Sequence, residues 1–280
     1  MMDALPPLRD VIERHDLAAK KSLGQHFLLD LNMTRKIARV ASVSAGDTVL
    51  EIGPGPGGLT RALLETGAAV VAIERDQRCL AALDEVRTAF ENRLTVIAAD
   101  ALAADEKTLF PDAAPLKIVA NLPYNISTEL LIKWLKTGST LWSVMALMFQ
   151  KEVADRILAP PGSKAYGRLS VIAQTMSRPS RGFNLPARAF TPPPKVDSTV
   201  VLFEQPNEKF EALSALERTT QAAFSQRRKM LRSSLKSVFG VELNKALETA
   251  GVKETQRAEE VSVAQFQALA THFHAWHSAS

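Results

Sequence analysis

Cysteine is almost absent from this 280-residue chain, and its single copy, Cys79, excludes an internal disulfide and a disulfide-stapled miniprotein. No long apolar run occurs, and a mean hydropathy of −0.03 leaves no candidate membrane span. The opening residues MMDALPPLRDVIERHD hold acids and prolines but no apolar signal core, so the cytoplasm is the expected compartment. Proline disappears after Pro206, and neither internal repeats nor low-complexity tracts are present. What remains is ordinary for a globular protein, 46% hydrophobic and 23% charged, at a length that suits a main domain with an appendage.

The net charge of +4 is small but unevenly spread. Residues 20–39 carry +4, residues 178–195 carry +4 and residues 225–237 carry +5, which leaves the remainder at −9. Three basic segments on a mildly acidic body point to a polyanion-binding face.

From residue 48 short apolar runs alternate with helical stretches. Thr48 to Gly53, Ala69 to Arg75, Leu94 to Asp100, Leu116 to Pro123 and Val144 to Gln150 read as strands. A run such as AVVAI, apolar without alternation, implies burial on both faces and hence a parallel sheet covered by helices. Arg61 to Thr66, Gln77 to Phe90 and Thr128 to Leu135 supply the crossovers. The expected class is α/β, with a sheet domain over 1–206 that includes the basic N-terminal segment. Prolines forbid a helix between 178 and 205, where STVVLF reads as a last strand. Residues 207–280 read as a small domain of about four helices, broken at Gly240 and Gly251.

Four of the 13 glycines, Gly53, Gly55, Gly57 and Gly58, cluster in EIGPGPGGLT directly after the first strand of this series. At the carboxyl end of an α/β strand such glycines let the backbone approach a ligand more closely than a Cβ permits. Gly53, Gly55 and Gly58 satisfy the dinucleotide spacing GxGxxG. Pro54 and Pro56, however, remove two backbone donors of the kind that hold a pyrophosphate. S-adenosylmethionine has no phosphate. It needs a carboxylate for its ribose diol and an acceptor for its adenine amine, and Glu74 and Asp100 end the next two strands on the same edge. Ile73 and Ala101 are placed to sandwich the adenine ring. These acids make S-adenosylmethionine the expected cofactor, ahead of NAD.

The fourth strand of the series ends in Asn121-Leu122-Pro123-Tyr124. An exocyclic purine amine is a poor nucleophile because its lone pair is delocalised into the ring. The Asn121 side-chain oxygen and the Leu122 carbonyl can accept its two hydrogens and orient the lone pair at a sulfonium methyl. Pro123 fixes the turn, and Tyr124 offers a face on which a flipped-out base stacks.

With these motifs in one order, the chain resembles the KsgA-type 16S ribosomal RNA adenine dimethyltransferases, relatives of the erythromycin-resistance methylases. The matching segments are KKSLGQHFLLD at 20–30, EIGPGPGGLT at 51–60, Glu74, Asp100, NLPYNIS at 121–127, FNLPARAFTPPPKVDS at 183–198 and FSQRRKMLRSSL at 224–235. The resemblance implies N6,N6-dimethylation of two adjacent adenines in the 3′-terminal hairpin loop of 16S rRNA, within an immature small subunit. It also implies that Gln25 and His26 border the methionine end of the cofactor, that Gly53, Glu74, Asp100 and Asn121 bind it, and that Phe183 packs against the target base opposite Tyr124. A monomer is expected.

In SQRRKMLRSSLKS, Arg228, Arg232 and Lys236 recur at i, i+4 and i+8, with Leu231, Leu235 and Val238 opposite. Read as one helix, this spaces cations about 6 Å apart along an RNA backbone. His272, His274 and His277 read as part of a terminal helix and tail rather than a metal site, and no metal is expected. Three rival readings stand beside the small-subunit one: a methyltransferase acting on a large-subunit adenine, a binding factor that checks subunit assembly, and an NAD-dependent oxidoreductase.

Overall fold

Residues 5–19, 24–110, 115–226 and 228–278 are described by a computed structural model. The KKSL start of the first matching segment and Arg227 therefore lie outside the described residues. The strands are Phe27–Leu28 (β1), Thr48–Ile52 (β2), Ala69–Glu74 (β3), Leu94–Ala98 (β4), Leu116–Ala120 (β5), Trp142–Gln150 (β6), Arg178–Leu185 (β7), Phe190–Thr191 (β8) and Ser198–Glu204 (β9). The helices are Leu8–Arg14 (α1), Leu31–Val40 (α2), Gly58–Glu65 (α3), Arg78–Ala89 (α4), Glu106–Leu109 (α5), Ser127–Thr137 (α6), Lys151–Ile157 (α7), Arg168–Met176 (α8), Leu213–Ser225 (α9), Leu231–Ser234 (α10), Lys236–Phe239 (α11), Leu243–Thr249 (α12) and Val263–Ser278 (α13). None among the described residues is long and apolar enough to cross a membrane.

The main sheet has the order β4-β3-β2-β5-β6-β9-β7. The five strands from β4 to β6 are parallel, and β9 runs antiparallel to β6. This is the Rossmann-like class I methyltransferase sheet. Its central strands are buried as their unbroken apolar runs require: Val49, Leu50, Ile118 and Val119 are fully covered. Cys79, Met145 and Met148 are core residues as well. Strand order reverses between β2 and β5, so the chain leaves their carboxyl ends in opposite directions and opens a crevice there.

The Pro-rich stretch adds an element that propensity obscured. Arg178–Leu185 is the edge strand of the sheet, a place where Pro179 is tolerated. After it, Phe190 pairs with Leu28 and Thr191 with Phe27, which brings FTPPPK beside the N-terminal segment.

The chain divides into two units, Met1–Ala154 with Ser180–Glu204, and Asp155–Pro179 with Gln205–Ser280. A single cut at 206 is therefore corrected: residues 155–179 belong with the C-terminal helices. Tyr166 and Val171 are buried in that unit's core with Leu216, Phe239 and Phe266. The Tyr166 hydroxyl donates to the Val261 carbonyl at 2.9 Å.

The expected basic helix through 225–237 is also corrected. α9 stops at Ser225, and two single turns, α10 and α11, follow. Long-range hydrogen bonds end the helix. Met230 bridges Arg257, and the Leu231 and Arg232 N–H groups donate to the Gln256 and Glu254 carbonyls at 2.9 and 3.1 Å.

Candidate active site

One cleft in the sheet unit opens at the reversal of strand order. It is lined from four directions: Gln25 and His26 before β1, the glycine loop after β2, Glu74 and Asp100 near the ends of β3 and β4, and Asn121–Tyr124 after β5. Ile73 and Ala101 also line it. Residues singled out in the sequence and scattered over about a hundred positions thus converge.

The glycine loop is shaped by close approach. Gly55 has φ +54°, and a Cβ there would stand 2.9 Å from the Phe27 ring. Its N–H donates to Glu74 Oε2 at 3.1 Å, while those of Gly53 and Gly57 go to the Ile73 and Pro54 carbonyls. Pro54 and Pro56 have none to offer. The loop's own donors at 53–57 are thus absent or occupied, which disfavours a pyrophosphate and so a dinucleotide.

Glu74 is 5% exposed and receives two backbone N–H bonds, from Gly55 and, at 2.7 Å, from Asp76. Burial raises its pKa in spite of them. Each carboxylate oxygen keeps a further lone pair for a diol. Asp76 fastens the carboxylate's surroundings: it accepts from Gln25 Nε2 at 3.2 Å and forms an ion pair with Arg78 at 2.6 Å. The Arg78 guanidinium holds the Asp76 carboxyl down at about 2. Asp100 accepts the Leu102 N–H at 3.0 Å and pairs with Arg75 at 3.1 Å.

The turn after β5 is locked by side chains that the sequence alone did not connect. Asn121 Nδ2 donates to the His26 carbonyl at 3.1 Å. A carbonyl only accepts, so this bond fixes the amide with its oxygen on the other side. His26 Nδ1 donates to the Pro192 carbonyl at 2.8 Å, and its ring stacks on Tyr124 with centroids 5.5 Å apart. The Tyr124 hydroxyl lies 2.6 Å from Ser198 Oγ. TPPPKVDS therefore acts as a brace for the turn.

One site residue is corrected. Phe183 does not line the cleft; it sits on edge strand β7, packs against the main core, and carries Lys36 Nζ over its ring at 4.2 Å. The expected partner for a base opposite Tyr124 is therefore not this residue. Arg228, Arg232 and Lys236 are exposed in the helical unit, and Arg232 pairs with Glu254 at 3.3 Å. His272 and His277 bond to Glu242 and to the Phe273 carbonyl within and beside α13.

Glu51, unremarked in the sequence, lines the cleft at 1% exposure, with Oε2 unpartnered among the described residues. Burial, with a contribution from nearby Glu74, pushes its carboxyl up to about 8. Between the ordinary carboxyl range and about 8 the folded chain keeps a proton that the unfolded chain has released. Stability should therefore fall as pH rises through that window, by on the order of 1 kcal/mol per pH unit, and level off above it. Glu51→Gln stays neutral and should flatten the fall. Urea titrations of both proteins at about pH 5, 7 and 9 measure it; equal slopes would contradict the buried proton.

The family model for ribosomal RNA adenine dimethylases matches residues 17–274. The chain belongs to this family. As a ribosomal RNA adenine dimethylase it uses S-adenosylmethionine to methylate adenine in ribosomal RNA. It is 56% identical over 273 residues to the ribosomal RNA small subunit methyltransferase A of Chelativorans sp. (strain BNC1), covering 96% of this chain and 98% of that one. It is 57% identical over 276 residues to the protein of the same name in Xanthobacter autotrophicus, covering 97% and 95%. Among solved structures, a dimethyladenosine transferase from Plasmodium falciparum aligns with a TM-score of 0.77 at 29% identity, over 89% of this chain and 98% of that one. The 23S rRNA methyltransferase ErmE aligns at 0.68 with 26% identity, over 89% and 99%.

Proposed function

We propose that this dimethylase acts on small-subunit ribosomal RNA, converting two adjacent adenines of the 3′-terminal hairpin loop to N6,N6-dimethyladenine as a cytoplasmic monomer on an immature subunit. The names and the 52–57% identity of its near full-length relatives support the subunit. The orientation of Asn121 carries the chemistry.

In this reading Glu74 takes the ribose diol, Asp100 the adenine amine and Ile73 with Ala101 the ring faces. Gly53 and Gly55 border the ribose and methionine portion, with Gln25 and His26 closing that end. S-adenosylmethionine supplies an electrophilic methyl on its sulfonium. Asn121 Oδ1 and the Leu122 carbonyl accept the two amine hydrogens of the target adenine, pyramidalising its nitrogen and aiming the lone pair at that methyl. The nitrogen–carbon bond forms as the carbon–sulfur bond breaks, and the surplus N–H proton passes to water. No strong base is required. Tyr124, with His26 against one face, presents the other to the base. A monomethylated amine keeps one hydrogen, so the second transfer leans more on Tyr124 for orientation.

The test is label transfer from methyl-labelled S-adenosylmethionine to undermethylated small subunits, large subunits and naked RNAs. Label confined to small subunits supports the reading; label on large subunits alone overturns it.

Arg228, Arg232 and Lys236 belong to this reading as phosphate contacts on successive turns rather than along one helix. Reversing Arg228 and Lys236 to glutamate should weaken subunit binding and reduce the slope of log affinity against log salt by about 1 to 2, with cofactor binding unchanged. Filter binding across a salt series measures it; unchanged affinity at low salt would remove these residues from the interface.

A further inference from the structure

Among the described residues, the turn that carries Asp100 has no sheet partner of its own. Asp100 organises it locally, its carbonyl accepting from the Ala103 and Ala104 N–H groups at 3.1 and 3.0 Å. Beside the ion pair of Asp100 with Arg75, a side chain from α6 fastens it to the rest of the unit. Lys133 Nζ donates to the Ala101 carbonyl at 3.0 Å, to the Ala104 carbonyl, and to Glu106 Oε1 at 2.9 Å. An ammonium has three N–H donors, and all three are used. Glu106 is 2% exposed, and its Oε1 also accepts from Trp134 Nε1 at 2.8 Å.

Two carbonyl oxygens converging on one point repel each other unless a cation stands between them. A buried carboxylate likewise requires a charge partner. Lys133 meets both needs. Its helix starts immediately after the Asn121–Tyr124 turn, where Ser127 Oγ donates to the Tyr124 carbonyl at 3.1 Å. The same helix thus carries the reacting turn at its beginning and, one and a half turns on, the tie to the Asp100 turn.

We propose that Lys133 is a positioning residue for the methyl donor: it sets the 100–104 turn so that Asp100 and Ala101 receive the adenine. Lys133 touches neither cofactor nor base. The inference rests on the assignment of Asp100 and Ala101 to the adenine.

Lys133→Met keeps the aliphatic stem but leaves Glu106 as a buried carboxylate without its cation, so this variant should lose thermal stability. Adding Glu106→Gln removes the uncompensated charge while retaining an acceptor for Trp134. The double variant should recover much of the stability yet still lack the tie to Ala101 and Ala104. Its KM for S-adenosylmethionine should rise by about tenfold with kcat within about twofold, because the loss falls on positioning of the donor rather than on the transfer. Affinity for 5′-methylthioadenosine, which lacks the amino-acid portion, should fall by the same factor in calorimetry. Wild-type affinity for both ligands in the double variant, or a fall in kcat at unchanged KM, would overturn the proposal. Asp100→Ala distinguishes this from failure of the adenine assignment. Unchanged affinity in Asp100→Ala overturns that assignment and the role of Lys133 with it. Weakened binding there beside wild-type binding in the double variant overturns the role of Lys133 alone.

Discussion

Asn121→Ala is expected to lower kcat for methyl transfer by about 10² to 10³-fold, the range seen when one preorganised hydrogen-bonding group is removed from a reacting centre. RNA affinity and folding should change little by comparison. Among the described residues the amide is held by one bond, to the His26 carbonyl, and Pro123 with the Tyr124–Ser198 contact keeps the turn in place without it. What disappears is an acceptor aimed at the amine, which matters most while the nitrogen becomes tetrahedral. Asn121→Asp sharpens the test. It retains acceptor oxygens but has no N–H for the His26 carbonyl, so it should recover part of the rate at most. Single-turnover transfer to undermethylated subunits reads both variants, and an Asn121→Ala enzyme near wild-type rate would refute the assigned role.

Glu74→Ala is expected to weaken S-adenosylmethionine binding by more than about 100-fold, since two hydrogen bonds to a charged acceptor contribute about 1.5 to 3 kcal/mol each. The same change leaves the Gly55 and Asp76 N–H groups without their acceptor and so loosens the glycine loop. Glu74→Gln should fall between the two, keeping one acceptor oxygen. Calorimetry with S-adenosylhomocysteine and with NAD measures it. Wild type should bind the first and not the second, because the N–H groups of the 53–57 loop are absent or consumed within the protein. Wild-type affinity in Glu74→Ala would remove this carboxylate from the site.

Much of this site is legible in the sequence because its chemistry sits at strand ends. The apolar runs of β2, β3 and β5 declare buried parallel strands, and the residues just past them, the glycine loop, Glu74 and Asn121, face one crevice by topology alone. What sequence could not supply are bonds between distant segments. The helix expected over 225–237 is interrupted by acceptors from residues 254 and 256, which no local periodicity registers. Residues 155–179 read as more of the sheet domain until Tyr166 is seen bonding Val261. Phe183 looks like a stacking aromatic in a basic loop, whereas β7 turns it onto the core beneath Lys36. Glu51 stood in view as the first residue of EIGPGPGG, and only its complete burial marks it as a proton holder. Lys133 gave no signal, because a lysine on an amphipathic helix ordinarily faces water.

If Asn121 and its turn dimethylate adenines of small-subunit RNA, the modification depends on that one amide. Mass-spectrometric mapping of that RNA, from cells lacking this protein and supplied with either wild type or Asn121→Ala, tests it most directly. Wild type should restore dimethyladenosine at two adjacent positions near the 3′ end, and the variant should leave unmodified adenine there. Dimethylation restored equally by both proteins, or absent with wild type, would contradict it.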